Sequence, residues 1–272
     1  MGRQDEFVSV VLPTWNRADR LPRAIRSVLD QTHSNLELVV VDDGSTDQTP
    51  GLVAGLADPR LRYLRLERNR GQAAARNAGI AACRADLIAF QDSDDIWMPE
   101  KLARQLAALR TGTELAGVYC DLRRCQADGQ VFVIRAPDLA VGRYFDRRPS
   151  LYQSFGLGIQ TCLLRKAVLV AAGGFRVDMK CFEDLELLLR LARRHRLQRV
   201  AAPLVDYVES MNSVSKNTEQ DRRARAMLLR LYGFRAAATR PTAVWRELKW
   251  ALGPSPIAGL RRTLTPQARY VD

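Results

Sequence analysis

The sequence predicts an α/β fold in which a mostly parallel sheet is covered by helices and followed by a helical extension. Short apolar segments alternate with helical segments four times in the first 110 residues, which is the βαβ rhythm of a parallel sheet. Clusters of polar residues follow three of the apolar segments, as expected where strands end. The 272 residues, 47% of them hydrophobic, suffice for one large domain with an appendage or for two small domains.

The first four predicted strands are short and mostly apolar. They are residues 7–12, 36–41, 61–66 and 87–90. Apolar stripes predict the helices after the first and fourth strands; their members are Leu21, Ile25, Val28 and Leu29, and then Leu102, Leu106 and Leu109. Capping residues from Ser45 to Thr49 predict a short second helix, and small residues predict a third at 72–83. This order predicts parallel strands with helices between them.

The pattern is less regular after about residue 115. We predict strands at 117–121 and 131–135 that form a hairpin, and a long irregular region at 136–160. The later predicted elements are a strand at 161–164, a helix ending at Ala172, a helix opening at 182–184 and a strand at 200–208. The basic residues 216–272 are predicted to form a helical extension. The main domain is therefore predicted to span residues 1–215. It has a regular half at about 1–115 and a less regular half at about 116–215.

Three carboxylates, Asp92, Asp94 and Asp95, follow the fourth predicted strand within four residues. Like charges this close repel each other unless a cation joins them. Mg²⁺ or Mn²⁺, shared with a phosphate, is the usual partner for oxygen ligands of this kind. The alternative is a solvated acidic turn, because Asp and Ser are common turn residues.

Two further polar clusters follow the first and second predicted strands. Their members are Pro13, Thr14, Asn16 and Arg17, and then Asp42, Asp43, Gly44 and Ser45. The carboxyl ends of parallel strands lie at one edge of a sheet, where α/β proteins bind their ligands. The three clusters are therefore expected to meet at that edge.

Charge and composition limit the classes of partner and of metal site that the chain could have. The formal charge of +12 points to nucleic acid, anionic lipid headgroups or phosphorylated substrates, or else to an Arg-rich solvated surface. Five cysteines without a CxxC pair and two histidines disfavour a zinc site and a disulfide framework, and are typical of a reduced cytosolic protein. No apolar segment approaches the length of a membrane span, and the polar start of the chain does not resemble a signal peptide.

Missing motifs exclude common phosphate-binding classes. No GxGxxG follows the first strand, which disfavours a nicotinamide-binding Rossmann enzyme, and no GxxxxGK[ST] is present for a P-loop. A receiver domain would be a much shorter chain. A sugar nucleotidyltransferase would carry a glycine-rich loop where this chain has Pro13, Thr14 and Trp15.

Six segments in a fixed order carry a family resemblance. They are VSVVLPTWNR at 8–17, VVVDDGSTD at 39–47, NRG at 69–71 with ARN at 75–77, AFQDSDDIW at 89–97, GGF at 173–175 and EDLEL at 183–187. Together they resemble family 2 glycosyltransferases with the GT-A fold. The resemblance implies an inverting transferase that moves a sugar from a nucleoside diphosphate sugar, with a UDP-sugar as the leading expectation, to a hydroxyl acceptor in polysaccharide or other cell-envelope glycoconjugate synthesis.

The resemblance also implies roles on the donor side. Asp42 would accept a hydrogen bond from the base or ribose, with Asp43 as a weaker candidate, and Pro13 and Thr14 would offer backbone groups to the base. Arg76 would face the diphosphate, although a solvated helix arginine is its alternative. Asn16, Arg17 and Ser93 are expected among the donor-binding residues.

The chemistry is assigned by resemblance to two acidic pairs. Asp94 would bind Mn²⁺ or Mg²⁺ directly, and Asp92 would complete the DxD pair nearer the ribose or sugar. Asp184, with Glu183 beside it, would be the base that deprotonates the acceptor. The alternative for Glu183 and Asp184 is a helix-capping role, because acidic residues are favoured at helix N-termini.

The acceptor is less well defined. Its site is expected within 115–215, and the acceptor is expected to be a glycan or a lipid-linked sugar. In the tail, Trp245, Leu248, Trp250 and Leu252 alternate with Arg246 and Lys249, which suits a helix at the inner face of the cytoplasmic membrane. Packing on the domain or a homodimer interface is the alternative. Two rival classes are a nucleic-acid-binding protein and a glycosyltransferase-like module without catalysis. No recognised nucleic-acid-binding motif is present, so no nucleic-acid partner is expected, and the intact acidic motifs argue against the second class.

Overall fold

The computed structural model describes residues 6–137, 139, 157–208 and 218–233. The strands are β1 Val8–Thr14, β2 Leu36–Asp42, β3 Leu61–Arg65, β4 Leu87–Phe90, β5 Ile96–Trp97, β6 Leu115–Cys125, β7 Val131–Ile134, β8 Cys162–Arg165 and β9 Arg196–Val208. The α-helices are α1 Leu21–Leu29, α2 Thr49–Ala54, α3 Gln72–Ala82, α4 Lys101–Leu109, α5 Lys166–Ala171, α6 Glu183–Ala192 and α7 Thr218–Leu228. A 3₁₀ turn at Ile159–Thr161 precedes β8, and a π-helical turn at Leu229–Gly233 follows α7.

One sheet runs through these elements in the order β3-β2-β1-β4-β8-β6-β9-β5, with β7 paired to β6. The first four strands are parallel, as predicted from the βαβ rhythm. Beyond β4 the sheet is mixed, since β8 is antiparallel to both β4 and β6 while β9 is parallel to β6. The α/β class is confirmed, and parallel pairing holds for the first half of the chain.

The predicted elements of the first half agree closely with the structure. The strand at 87–90 has the predicted bounds, and the hairpin near Gly129 joins β6 to β7. The prediction missed the two-residue strand β5 and began β9 at residue 200, four residues late. Most of the predicted irregular region, and the tail beyond residue 233, lie outside the described residues. The domain boundary at 215 stays a prediction.

The sheet separates two hydrophobic cores. In β1, Val8, Val10 and Leu12 face one core, which α1 and α4 cover, whereas Val11 faces the other, which α3 and α6 cover. Buried apolar side chains of α7 join this second core, so the described part of the C-terminal region packs on the domain. None of the helices among the described residues is both long and apolar enough to cross a bilayer.

Helix α3 lies unusually close to the sheet. A Cβ atom added at Gly79 would come within 2.3 Å of a methyl carbon of Val11, so only glycine allows this approach. The contact fixes the height of α3 above β1. Residues one turn earlier on α3 are thereby held next to the carboxyl ends of the strands.

Candidate active site

The ends of β1 and β2 are joined by Asn16. Its side-chain oxygen accepts the N–H groups of Thr46 at 2.8 Å and Asp47 at 3.3 Å, and its own N–H donates to the Ser45 hydroxyl at 2.9 Å. Asn16 adopts a φ of 51°, a left-handed conformation that Asn tolerates better than most residues. The structure therefore brings the first two predicted clusters together. The side-chain oxygen of Asn16 is already engaged in holding them.

Asp42 lies buried beneath this joint. One carboxylate oxygen accepts the N–H of Ser45 at 2.8 Å, and the other accepts the hydroxyl of Tyr63. Burial and this bond to Asp42 raise the pKa of Tyr63 above its usual value. Beside Asp42, the hydroxyl oxygen of Thr14 is buried without a hydrogen-bond partner among the described residues. Pro13 is buried in β1 next to Thr14. A buried polar atom without a partner is what a bound ligand could satisfy.

Asp43 serves the start of α3. Its two carboxylate oxygens accept the N–H groups of Arg70 and Gly71, each at 2.8 Å. Gly71 has a φ of 94° and directly precedes the helix, so this position favours glycine. Burial raises the pKa of Asp43, against the opposing effect of these two hydrogen bonds. Asp43 thus anchors the loop that carries α3.

Arg76 is the centre of the site. Its side chain is 2% exposed, yet its two terminal nitrogens bind Asp92 at 2.7 Å and Glu183 at 2.6 Å. Its guanidinium also lies 5.3 Å from the centre of the Phe175 ring. Burial alone would lower the pKa of Arg76, but the neighbouring carboxylates, Asp92 first, raise it above its usual value. Arg76 is therefore not the solvated helix arginine of the alternative reading.

The loop after β4 carries the acidic pair predicted to bind metal. The Asp92 side chain is 19% exposed, and Ser93 and Asp94 are half-buried. Burial raises the pKa of Asp94, the charge of Asp92 raises it further, and Arg17 opposes both effects. Arg17 therefore lies close enough to act on this loop. Repulsion between two partly accessible carboxylates is the situation that a bound cation relieves.

Asp95 differs from its two neighbours because it is buried. One carboxylate oxygen accepts the N–H of Val208, at the end of β9, over 3.2 Å, and the other has no partner among the described residues. Burial, Asp92 and Asp94 raise the pKa of Asp95 well above its usual range. Asp95 thus links the acidic loop to the last strand.

Glu183 and Asp184 open α6. The residue before them, Phe182, has a φ of 59°, and no side chain caps the helix. Asp184 accepts the N–H of Leu185 at 2.7 Å, while Glu183 is held by Arg76. Burial and the adjacent Glu183 raise the pKa of Asp184 to about 6, against the opposing effect of Arg76. Asp184 is thus a half-buried carboxyl with a titration range suited to a base near neutral pH.

The donor set can be compared with the needs of a divalent ion. Among the described residues no three or more His, Cys, Asp and Glu side chains are grouped as a metal site. Asp92 and Asp94 offer two partly accessible carboxylates, and oxygen is the donor that Mg²⁺ and Mn²⁺ prefer. Mg²⁺ in particular is commonly held by one or two carboxylates together with substrate phosphates. The residues present therefore fit an ion whose coordination a substrate completes.

Comparison with known proteins identifies the family. A model described as glycosyl transferase family 2 matches residues 9–171. The chain belongs to glycosyltransferase family 2. Within this family, the glucosyltransferase WfgD of Escherichia coli, named as acting from UDP-Glc on alpha-D-GlcNAc-diphosphoundecaprenol, is 40% identical over 215 residues, which are 78% of this chain and 81% of WfgD. The succinoglycan biosynthesis protein ExoO of Rhizobium meliloti is 41% identical over 145 residues, 51% of this chain and 42% of ExoO.

A solved structure supports the fold of this glycosyltransferase. The mannosyltransferase PcManGT of Pyrobaculum calidifontis, in complex with GDP-Man and Mn²⁺, superposes with a TM-score of 0.63 at 19% identity and covers 93% of this chain and 78% of its own. This likeness confirms the predicted GT-A type of α/β fold. The chain spans less than half the length of ExoO and of several other curated relatives that it matches.

The sequence did not predict two aromatic residues that contact charged side chains of this glycosyltransferase site. Tyr63 on Asp42 and Phe175 beneath Arg76 were not singled out for these contacts. In the register of β3 on β2, Asp42 pairs with Arg65, and Tyr63 lies two residues before Arg65 on the same face of β3. This register brings Tyr63 to Asp42, and the sequence of one strand alone does not reveal it. Phe175 belongs to the GGF segment at 173–175. The family resemblance could therefore have pointed to this residue, whereas a phenylalanine by itself does not indicate a functional site.

Proposed function

We propose that this glycosyltransferase transfers a sugar, with inversion, from a nucleoside diphosphate sugar to a hydroxyl of a glycan or lipid-linked acceptor in cell-envelope polysaccharide synthesis. One observation carries the proposal: Arg76 joins Asp92 to Glu183, so the donor-side acids and the proposed base occupy one site although 91 residues separate Asp92 from Glu183. The name of WfgD supports UDP-glucose as donor and a diphosphate-linked GlcNAc as acceptor.

The base in this proposal is Asp184. With a pKa of about 6 it is ionised at neutral pH and can accept the proton of the acceptor hydroxyl. The hydroxyl oxygen forms its bond to the anomeric carbon while the bond from that carbon to the diphosphate breaks. A single displacement of this kind inverts the anomeric centre, and it needs no bond between the sugar and the protein.

The donor is proposed to lie along the joined ends of β1, β2 and β4. Thr14 and Pro13 would offer backbone groups to the base, and Asp42 would accept a hydrogen bond from the base or ribose. Arg17 and Ser93 would lie nearer the diphosphate. Asp94 and Asp92 would hold Mn²⁺ or Mg²⁺, which would supply Lewis-acid stabilisation of the leaving diphosphate. The contact of Arg76 with the diphosphate stays a prediction, since both of its terminal nitrogens bind carboxylates in this conformation.

A binding screen followed by a transfer assay tests the proposed function. UDP, GDP and dTDP, each with and without Mn²⁺, are compared by thermal shift, because a ligand that binds the folded state raises the melting temperature. Transfer is then measured from UDP-glucose to a synthetic GlcNAc-diphosphate lipid. We expect UDP with Mn²⁺ to stabilise the protein most. Absence of stabilisation by all three nucleotides, together with absence of transfer, would contradict the proposal.

The pKa of Asp184 predicts how turnover depends on pH. Since this pKa is about 6, the base is protonated below that pH, and kcat/KM is expected to fall about tenfold per pH unit there. A kcat/KM profile from pH 4.5 to 8 measures the midpoint. Thermal unfolding over the same range separates this effect from acid denaturation. A flat profile down to pH 5 would remove Asp184 as the base.

The proposed location is the inner face of the cytoplasmic membrane. It is supported by a relative named for succinoglycan biosynthesis, by the diphosphoundecaprenol-linked acceptor in the name of WfgD, and by the basic tail. The aromatic and basic residues from Trp245 to Leu252 lie outside the described residues. Membrane contact through them, and a homodimer as their alternative use, stay predictions.

A further inference from the structure

The buried guanidinium of Arg76 connects two parts of the fold that the backbone does not join. On one side it binds Asp92, at the end of β4, and on the other it binds Glu183, at the start of α6. A buried cation with two charged partners at 2.6–2.7 Å has little freedom to move. The relative position of these two parts therefore depends on this side chain.

Helix α3 holds Arg76 firmly enough to act in this way. Asp43 fixes the start of α3 through two backbone N–H groups, and the contact of Gly79 with Val11 fixes its middle. The next residue, Asn77, exchanges two hydrogen bonds with the backbone of Phe175, at 2.8 and 2.9 Å. Those bonds place the Phe175 ring against the guanidinium.

The first turn of α6 lacks comparable support of its own. It carries three acidic residues, Glu183, Asp184 and Glu186, and no side chain caps it. Glu186 binds Arg190 on the same helix at 2.8 Å and accepts the hydroxyl of Tyr232, in the turn after α7, at 2.7 Å. The cation that binds Glu183 comes instead from α3, through Arg76.

We propose that Arg76 is a positioning residue of the transferase reaction, whose guanidinium holds the base-bearing start of α6 against the donor-side carboxylate Asp92. The inference rests on the proposed function and goes beyond it, because it replaces the diphosphate contact expected for Arg76 by a contact between protein groups. Asp184 acts at the acceptor, and Arg76 acts through Glu183 and Asp92.

The charge of Arg76 has a second consequence. Among the described residues, the groups that face Asp184 are Glu183 on its own helix, Arg76 from α3, Asp92 after β4, and the Cys162 and Cys181 thiols, whose pKa values burial and nearby carboxylates raise. Arg76 is the cation in this group. Its removal leaves Asp184 among groups that disfavour the ionised form.

The test compares Arg76→Gln and Arg76→Lys with the wild type and with Arg104→Gln, which removes an arginine whose side chain is 50% exposed on α4. For Arg76→Gln we expect kcat to fall about 100-fold, as for a misplaced catalytic group. We expect the acid midpoint of kcat/KM to rise by about one pH unit. The affinity for UDP with Mn²⁺, measured by calorimetry, should stay within about threefold.

Arg76→Lys keeps the charge but cannot reproduce two forked bonds. Its midpoint should stay near that of the wild type while kcat falls less than in Arg76→Gln. Adding Glu183→Gln to Arg76→Gln should lower kcat little further, because both changes break one link. This comparison remains valid if Arg76→Gln lowers the melting temperature, provided that circular dichroism shows folded protein.

Two results would overturn the inference. One is an Arg76→Gln protein with unchanged kcat and midpoint. The other is a protein with retained kcat and strongly weakened UDP binding, which would return Arg76 to the diphosphate. An inactive wild type that also fails to bind nucleotides would instead reject the proposed function, so the two failures are distinguishable.

Discussion

Replacement of Asp184 by asparagine should lower kcat about 100- to 10,000-fold while the protein still binds UDP. The amide has nearly the same shape as the carboxylate and can accept the N–H of Leu185, but it cannot take a proton from the acceptor hydroxyl. General-base catalysis contributes about 10²–10⁴-fold in enzymes, so the loss should lie in that range. The measurement is transfer from UDP-glucose to the GlcNAc-diphosphate lipid, with UDP affinity measured separately.

Asp178→Asn is a matched control for this change. Asp178 lies six residues earlier, its side chain is 55% exposed, and it pairs with Arg176, whose side chain is 36% exposed. The control should turn over like the wild type. The acid limb of the pH profile should also disappear from any residual activity of Asp184→Asn. An Asp184→Asn protein within tenfold of the wild type would assign the deprotonation to another group.

The first half of the fold could be predicted because its signals are local. Residues 87–90 form a continuous apolar segment that is buried on both faces, and the strand has the predicted bounds. The polar residues follow successive strands. A parallel strand order is therefore enough to predict that they lie at one edge of the sheet. The close agreement of β1, β2 and β4 with their predictions reflects the strength of these short apolar segments as strand signals.

The second half could be predicted less well because its structure depends on distant partners. Strand β5 has two residues and exists because Ile96 and Trp97 pair with Asp206 and Val205, more than 100 residues later. Strand β9 is shifted in register against β6 at three places, so no simple alternation marks its start. Local patterns carry no information about such pairings.

The site shows the same division. The residue types and their strand-end positions could be assigned before the structure was known, but the pairing of Arg76 with Glu183 could not, since it joins residues 107 apart in the sequence. The left-handed conformation of Phe182 was equally hidden, because non-glycine residues rarely adopt it. These two features determine how Asp184 is presented. They support the proposal that this helix start is a base site, although acidic helix starts are usually caps.

Asp94→Ala should remove the dependence on divalent metal and lower turnover by at least about 100-fold. An ion at Asp94 and Asp92 would stabilise the diphosphate that leaves, an effect of several kcal/mol on the barrier, and tenfold in rate corresponds to about 1.4 kcal/mol. Mn²⁺ should then no longer increase the stabilisation by UDP in thermal shift. Asp128→Ala, at an exposed turn between β6 and β7, is the matched control and should behave as the wild type.

The same substitution should not destabilise the metal-free protein at neutral pH. The pKa of Asp94 is raised in the folded state by burial and by Asp92, so the ionised carboxylate is less favourable there than in the unfolded chain. The contribution of Asp94 to the free energy of unfolding is therefore present at low pH, where the carboxyl is protonated. It is lost as the pH rises through the pKa of the folded state. Removing it should therefore leave the melting temperature unchanged or raise it, as expected where a binding site is kept at a cost in stability. A lower melting temperature with intact Mn²⁺-dependent UDP binding would show that Asp94 is structural and that another group holds the ion.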